Sequence, residues 1–234
     1  MSNVPKSKEV GSKALYKPVE GFETENQNRL VIEREVLPII FVPGIMGSRL
    51  GDPKGVTAWD PDDAKFMLKK YGLLWAATAK SRKDLIIGSE FNQGYLHVLN
   101  DDTKHNAVFA DETDTTRGKR GWGGVSWNSY GDILKTLQTR EWDQSVNLFY
   151  EFPVHAFGYN WTASNYFAGE QLAAEIKKVI KEYVDAGRKC EKVLLVTHSM
   201  GGLVARSAME QRTAYLVSFT AYNPRMAHLP PTGG

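Results

Sequence analysis

A single cysteine, Cys190, is all the chain contains. An internal disulfide framework is therefore excluded, and no oxidising compartment is implied. There is no CxxC pair and no histidine-rich ligand cluster, so neither a structural metal nor a metal cofactor is expected. No run of about 18 apolar residues occurs, which excludes a transmembrane helix of ordinary length. The N-terminal MSNVPKSKEVGSKALYKPVEG lacks the apolar core of a signal peptide. A soluble cytoplasmic chain is expected, and any export would use a leaderless route. There is no excess of one charge either. Twenty-nine basic and 27 acidic residues leave a net charge of +2, well mixed, so a nucleic-acid partner is not expected. What is present is an ordinary globular balance, 42% hydrophobic and 24% charged over 234 residues. That suits one medium domain or part of a larger one.

Residues 1–30 are polar and aperiodic and read as a flexible arm. The first structural signal is VLPIIFVPG, Val36 to Gly44, a β-branched apolar run closed by Pro-Gly: a buried strand and a turn. Residues 51–145 show no comparable strand. WDPDDAKFMLKKYGLLWAATAK is partly helical, and SWNSYGDILKTLQTREW has Tyr130, Ile133, Leu134 and Leu137 at helical spacing. A structureless loop of that length is improbable in a compact domain, so a lid or cap insertion is expected over 51–145. Regular alternation then begins. A strand is expected near Val154 to Phe157, then a helix capped by Ser164 and stopped by Gly187, then a strand at Val193 to Val196, and a helix from Gly202 to Gln211. This order predicts an α/β fold with a mainly parallel sheet.

The turn THSMGG joins that last strand to that last helix. A serine at a sharp strand-to-helix turn is lifted toward substrate, and small residues two positions to either side let the chain pass close to itself. Here those positions are Thr197 and Gly201, the threonine standing where glycine is usual. Ser199 is the expected nucleophile. The Met200 N–H, at the start of the following helix, is aimed at a developing oxyanion. His198 is read as a packing or hydrogen-bonding residue, since adjacent side chains at a tight turn point in different directions. VPGIMGSRL supplies the second half of an oxyanion hole, with Ile45 the expected donor and Met46 the alternative.

VPGIMGS, then AWDP, FGYNW and HSMGG, in that order over residues 36–211, resemble the lecithin–cholesterol acyltransferase and remodelling-lipase branch of the α/β-hydrolases. More closely, they resemble bacterial type VI secretion lipase effectors. The resemblance implies an α/β-hydrolase-type sheet with a lid between the first two motifs and the nucleophile. It also implies a serine hydrolase acting on carboxylic esters, most of all lipids, through an acyl-enzyme and without metal or organic cofactor. Lipid or ester is the implied substrate, the lid the membrane-surface contact, and a secretion or immunity protein a possible partner class. Carried over by residue, Ser199 is nucleophile, with Ile45 and Met200 oxyanion donors. Tyr159, Asn160 and Trp161 either line the acyl or head-group site or pack their loop. Trp59, Asp60 and Pro61 anchor the lid, and Leu73, Leu74 and Trp75 within it favour lipid over small esters.

A serine nucleophile also needs a histidine base and an orienting carboxylate, which in this fold follow it in the chain. After Ser199 there is no aspartate, one glutamate (Glu210) and one histidine (His228). Glu210 reads as a solvated helix residue, and His228 lies in the Pro-rich AHLPPTGG. Residues 212–234 do not follow the strand–helix logic of the rest. Relatives have a strand resembling VVHGVQPATGAPAAY after this helix, and a shifted reading frame can spell such a segment from the tail. The expectation is a partial domain over 31–211, incomplete at its C-terminus, with an aberrant tail from a frame shift near Gln211 or Arg212. A divergent C-terminus is the alternative, and an inactive remnant of the family is the alternative function.

Overall fold

The structure, a computed structural model, describes residues 33–72, 78, 80–81, 96–100 and 116–211, together with the backbone of residues 216–221. The arm at 1–30, Leu73, Leu74, Trp75 and His228 lie outside the described residues.

Four parallel strands form the central sheet: β2 (Ile39–Val42), β7 (Val154–Ala156), β8 (Val193–Thr197) and β9 (Leu216–Ala221), in the order β7-β2-β8-β9. Strand β2 pairs on both sides, and every one of its four residues is buried. Its side chains alternate between two cores. Ile40 and Val42 join Leu195, Leu172, Ile176 and Val204 on one face, and Ile39 and Phe41 join Trp122, Val125, Leu134 and Val154 on the other. A parallel strand covered on both faces must be apolar throughout, which is why IIFV carries no polar residue. A short parallel pair, β1 (Glu35–Val36) with β6 (Tyr150–Glu151), leads into β2 and β7.

The first core is covered by α5 (Asn165–Asp185) and α6 (Gly201–Glu210). Ser164 caps α5 by accepting the Phe167 N–H, and Gly187, at φ 75°, follows its end in the left-handed conformation that glycine adopts without strain. The two helices approach closely at Gly169, where a Cβ would stand 2.5 Å from Ser207 Oγ. The second core is closed by a 3₁₀ turn at Trp122–Gly124 and by α3 (Trp127–Thr139). Both belong to the stretch 51–145 in which an insertion was expected, yet Trp122, Val125 and Leu134 are buried against the sheet itself.

The rest of that stretch, where described, holds β3 (Leu50–Gly51), β4 (Thr57–Trp59) and β5 (His97–Val98) in a small antiparallel sheet, α1 (Ala64–Tyr71), and a single turn, α2 (Thr116–Lys119). After α3 a short α4 (Gln144–Phe149) leads into β6. Strand β9, within the tail at 212–234, pairs with β8 in parallel, Thr197 opposite Ala221.

Candidate active site

The register of β2 on β8 puts Val42 opposite Thr197. Two parallel neighbours end on the same edge of the sheet, so the loop after β2 and the turn after β8 must emerge side by side. Ligand sites of open α/β sheets form at this carboxyl edge. The His198 N–H donates to Val42 O at 3.0 Å, fastening the turn to the end of β2.

At the turn, Ser199 has φ 52°, one of two non-glycine residues among those described with positive φ. A serine in left-handed backbone is strained and persists only where its surroundings impose it. Here they do: the Gly201 N–H donates to His198 O and the Gly202 N–H to Ser199 O, each at 3.0 Å. Gly201 is wedged on the end of β2, where a Cβ would stand 2.5 Å from Val42 O and 2.6 Å from Pro43 O. Thr197 stands in the position where glycine is usual, and its Oγ1 leaves room toward Gly202, where an added Cβ would still be 3.6 Å away. Ser199 and His198 are both exposed.

The other positive φ is at Met46, 64°, in the loop 43–48. This loop touches the turn directly: a Cβ on Gly44 would stand 3.1 Å from Ser199 Cβ. Its backbone is held from many sides. Pro43 O accepts from Tyr159 OH (3.1 Å), Met46 O from Trp59 Nε1 (3.0 Å), Gly47 O from the Ser126 N–H (2.8 Å) and Ser48 O from Trp161 Nε1 (3.3 Å). Gly44 N–H donates to Tyr130 OH at 3.1 Å. Among the described residues the Ile45 and Met200 N–H groups have no such partner. Ile45 is 54% exposed, its neighbour Met46 in the same loop is exposed too, and Leu203 is exposed on α6, four residues after Ser199.

Tyr159, Asn160 and Trp161, for which the sequence leaves two readings, are all buried. Tyr159 is bonded at both ends, its N–H donating to Ser48 Oγ at 2.9 Å and its phenol to Pro43 O. Burial pushes that phenol's pKa up, with the Tyr130 ring adding to it. Asn160 Oδ1 accepts from the Thr162 N–H and hydroxyl. The triplet thus packs its own loop and braces loop 43–48. Trp59 braces the same loop, and Asp60 is buried in an ion pair with Arg49 at 3.1 Å, which also donates to Gly123 O. Apart from the local Asn160–Thr162 bonds, these contacts join residues from 11 to 116 positions apart, so no local pattern in the sequence announces them.

No histidine or carboxylate among the described residues bonds to the Ser199 hydroxyl. Glu210 is exposed and paired with Arg206, as expected of a solvated helix residue. His155 is buried in β7 with Nε2 3.1 Å from Tyr183 OH, and burial, then the charges of Arg120 and Lys178, lower its pKa to about 3. His97 lies exposed on β5. His198 Nδ1 is 3.0 Å from Tyr130 OH, in keeping with the hydrogen-bonding role expected for it. Among the described residues no three of His, Cys, Asp and Glu gather as a metal site.

Residues 126–218 match the model of the PGAP1-like alpha/beta domain family. No curated protein sequence matches the chain. Among solved structures, a chain in the crystal structure of the Tle4–Tli4 complex is similar to it at 23% identity with a TM-score of 0.56. The similarity covers 80% of this chain and 45% of that one, so this chain spans less than half of its neighbour's length. The family match covers the turn at Ser199, the helix α3 and the crossover α5, and the structural similarity bears out the α/β fold with a mainly parallel sheet expected from the sequence.

Proposed function

On the premise that this chain has the α/β-hydrolase fold of a lipase-like hydrolase, we propose that it is a serine hydrolase of carboxylic esters, with Ser199 as nucleophile and the Ile45 and Met200 N–H groups as oxyanion donors. The observation that carries this reading is the pairing of Ser199 at φ 52° with a braced loop whose Ile45 N–H is unspent. Preorganised donors stabilise a tetrahedral oxyanion without reorganising during the reaction. Ser199 Oγ forms a bond to the ester carbonyl carbon, and the carbonyl oxygen takes the negative charge between the two donors. Collapse breaks the carbon–oxygen bond to the alcohol, which leaves with the proton that Ser199 Oγ gave up, and water then cleaves the acyl-enzyme to the free acid and returns a proton to Ser199 Oγ. Exposed apolar side chains on the loop after β2 (Ile45, Met46) and on α6 (Leu203) suit an acyl chain, so lipid esters are the proposed substrates. The similar solved chain comes from the Tle4–Tli4 complex, and a protein partner of the immunity kind is proposed for this chain as well.

The serine's proton needs an acceptor, and none of the described histidines reaches it. That observation favours a second reading, an inactive remnant. A fluorophosphonate separates the two, since its phosphorus forms a bond to serine oxygen with loss of fluoride and the proton to water, while the oxyanion donors hold the phosphoryl oxygen. With the full chain, peptide mapping should find the adduct at Ser199 and none in Ser199→Ala. Adducts scattered over other serines, with Ser199 no faster than they are, would favour the remnant.

A further inference from the structure

We propose that Tyr130, on α3, is a positioning residue that locks the oxyanion loop to the nucleophile turn through one phenol oxygen. This rests on the reading of Ser199 and Ile45 given above. The Tyr130 oxygen meets Gly44 N at 3.1 Å and His198 Nδ1 at 3.0 Å. Gly44 immediately precedes Ile45, and His198 immediately precedes Ser199. One side chain therefore grips both halves of the site, each one residue from its working group.

The Gly44 N–H is a donor only, so the phenol oxygen accepts from it, and the phenol hydrogen is left to donate to His198 Nδ1. With that hydrogen donated to Nδ1, the ring proton sits on Nε2 and His198 acts as a tether between helix and turn. The tyrosine is itself fixed in place. Its ring packs on Phe41 at a centroid distance of 5.0 Å and lies against Gly47, where a Cβ would stand 2.7 Å from Cε2. The start of α3 is pinned by the Asp62 carboxylate, which accepts from the N–H groups of Trp127 (2.6 Å) and Asn128 (2.9 Å) and from Ser126 Oγ (2.8 Å). Helix start, loop and turn are thus cross-linked, and Tyr130 is the link nearest the serine.

Tyr130→Phe removes the oxygen and keeps the ring packing. In the ¹⁵N-labelled full chain, the Gly44 amide should exchange with solvent about tenfold faster than in wild type, the loss of one hydrogen bond. The His198 Nδ1 resonance should shift as its donor is lost, while the Leu195 amide in β8 stays protected. Fluorophosphonate labelling of Ser199 should slow as the loop loses its alignment. His198→Ala should loosen the Gly44 amide and slow labelling in the same direction. His198→Asn, whose carboxamide oxygen can accept near the Nδ1 position, should recover both relative to His198→Ala. These two decide the matter if Tyr130→Phe does not fold. Unchanged Gly44 exchange and an unchanged His198 ring signal in Tyr130→Phe would overturn the lock, whatever Ser199 does. Absent labelling in wild type, with the Gly44 and His198 responses as expected, would instead strike the nucleophile reading and leave the lock in place.

Discussion

Two adjacent glycines in THSMGG should respond to alanine with opposite signs. At Gly201 an added Cβ would meet Val42 O at 2.5 Å and Pro43 O at 2.6 Å, against an ordinary carbon–oxygen approach of about 3.3 Å. Neither oxygen can yield cheaply. Val42 ends a strand paired on both sides, and its carbonyl already accepts the His198 N–H. Overpacking against a fixed backbone costs about 1–3 kcal/mol, and two simultaneous contacts argue for the upper end. At Gly202 the nearest atom to an added Cβ is Thr197 Oγ1 at 3.6 Å, a van der Waals contact. There alanine relieves the entropy of a glycine in helix α6 and stabilises by about 0.5–1 kcal/mol. With an m-value of about 3 kcal/mol/M in urea, the midpoint should fall by about 1 M for Gly201→Ala and rise by about 0.2–0.3 M for Gly202→Ala. Equilibrium urea unfolding followed by tryptophan fluorescence reads both. Equal effects at the two positions, or a tolerated Gly201→Ala, would refute the close approach of turn and strand on which the site is built.

The buried imidazole gives a pH dependence. His155 titrates near 3 in the folded chain and near 6.5 when unfolded. Between these values the unfolded state binds the extra proton, so stability rises with pH through that window. The contribution is complete above about 6.5 and is lost as pH falls toward 3, by up to about 4 kcal/mol; urea midpoints measured across this range should show the slope, and His155→Gln should flatten it. Cys190 is buried, and burial, with the nearby Glu35 charge, raises its thiol to about 11. It should react with a disulfide reagent at pH 8 only as the fold opens, and rapid labelling of native protein would show the β8 entry to be looser than described.

Elements with a local pattern were legible from the residues alone. IIFV between prolines and VLLVT before the turn carry the unbroken apolar character that a doubly covered parallel strand requires. Ser164 and Gly187 mark the ends of α5, and Tyr130, Ile133, Leu134 and Leu137 mark α3. The partition of 51–145 was harder to see. Trp122 and Leu134 pack on the sheet through contacts with residues distant in the chain, and apolar spacing states that a helix buries a face but not against what. The same holds around the site. The strained turn at Ser199 was visible because a strand-to-helix turn of this kind has a local signature. The bracing by Trp59, Tyr159 and Trp161 and the Tyr130 link were not, since each joins a side chain to a backbone group or ring far away in sequence.

If Ser199 faces a preorganised oxyanion hole made by the loop after β2 and the turn after β8, a crystal structure of the full chain after fluorophosphonate treatment will show it. Phosphorus should be bonded to Ser199 Oγ, with the phosphoryl oxygen about 3 Å from both the Ile45 and Met200 nitrogens and loop 43–48 unmoved. A phosphoryl oxygen turned to solvent, or bonded to neither nitrogen, would contradict that arrangement.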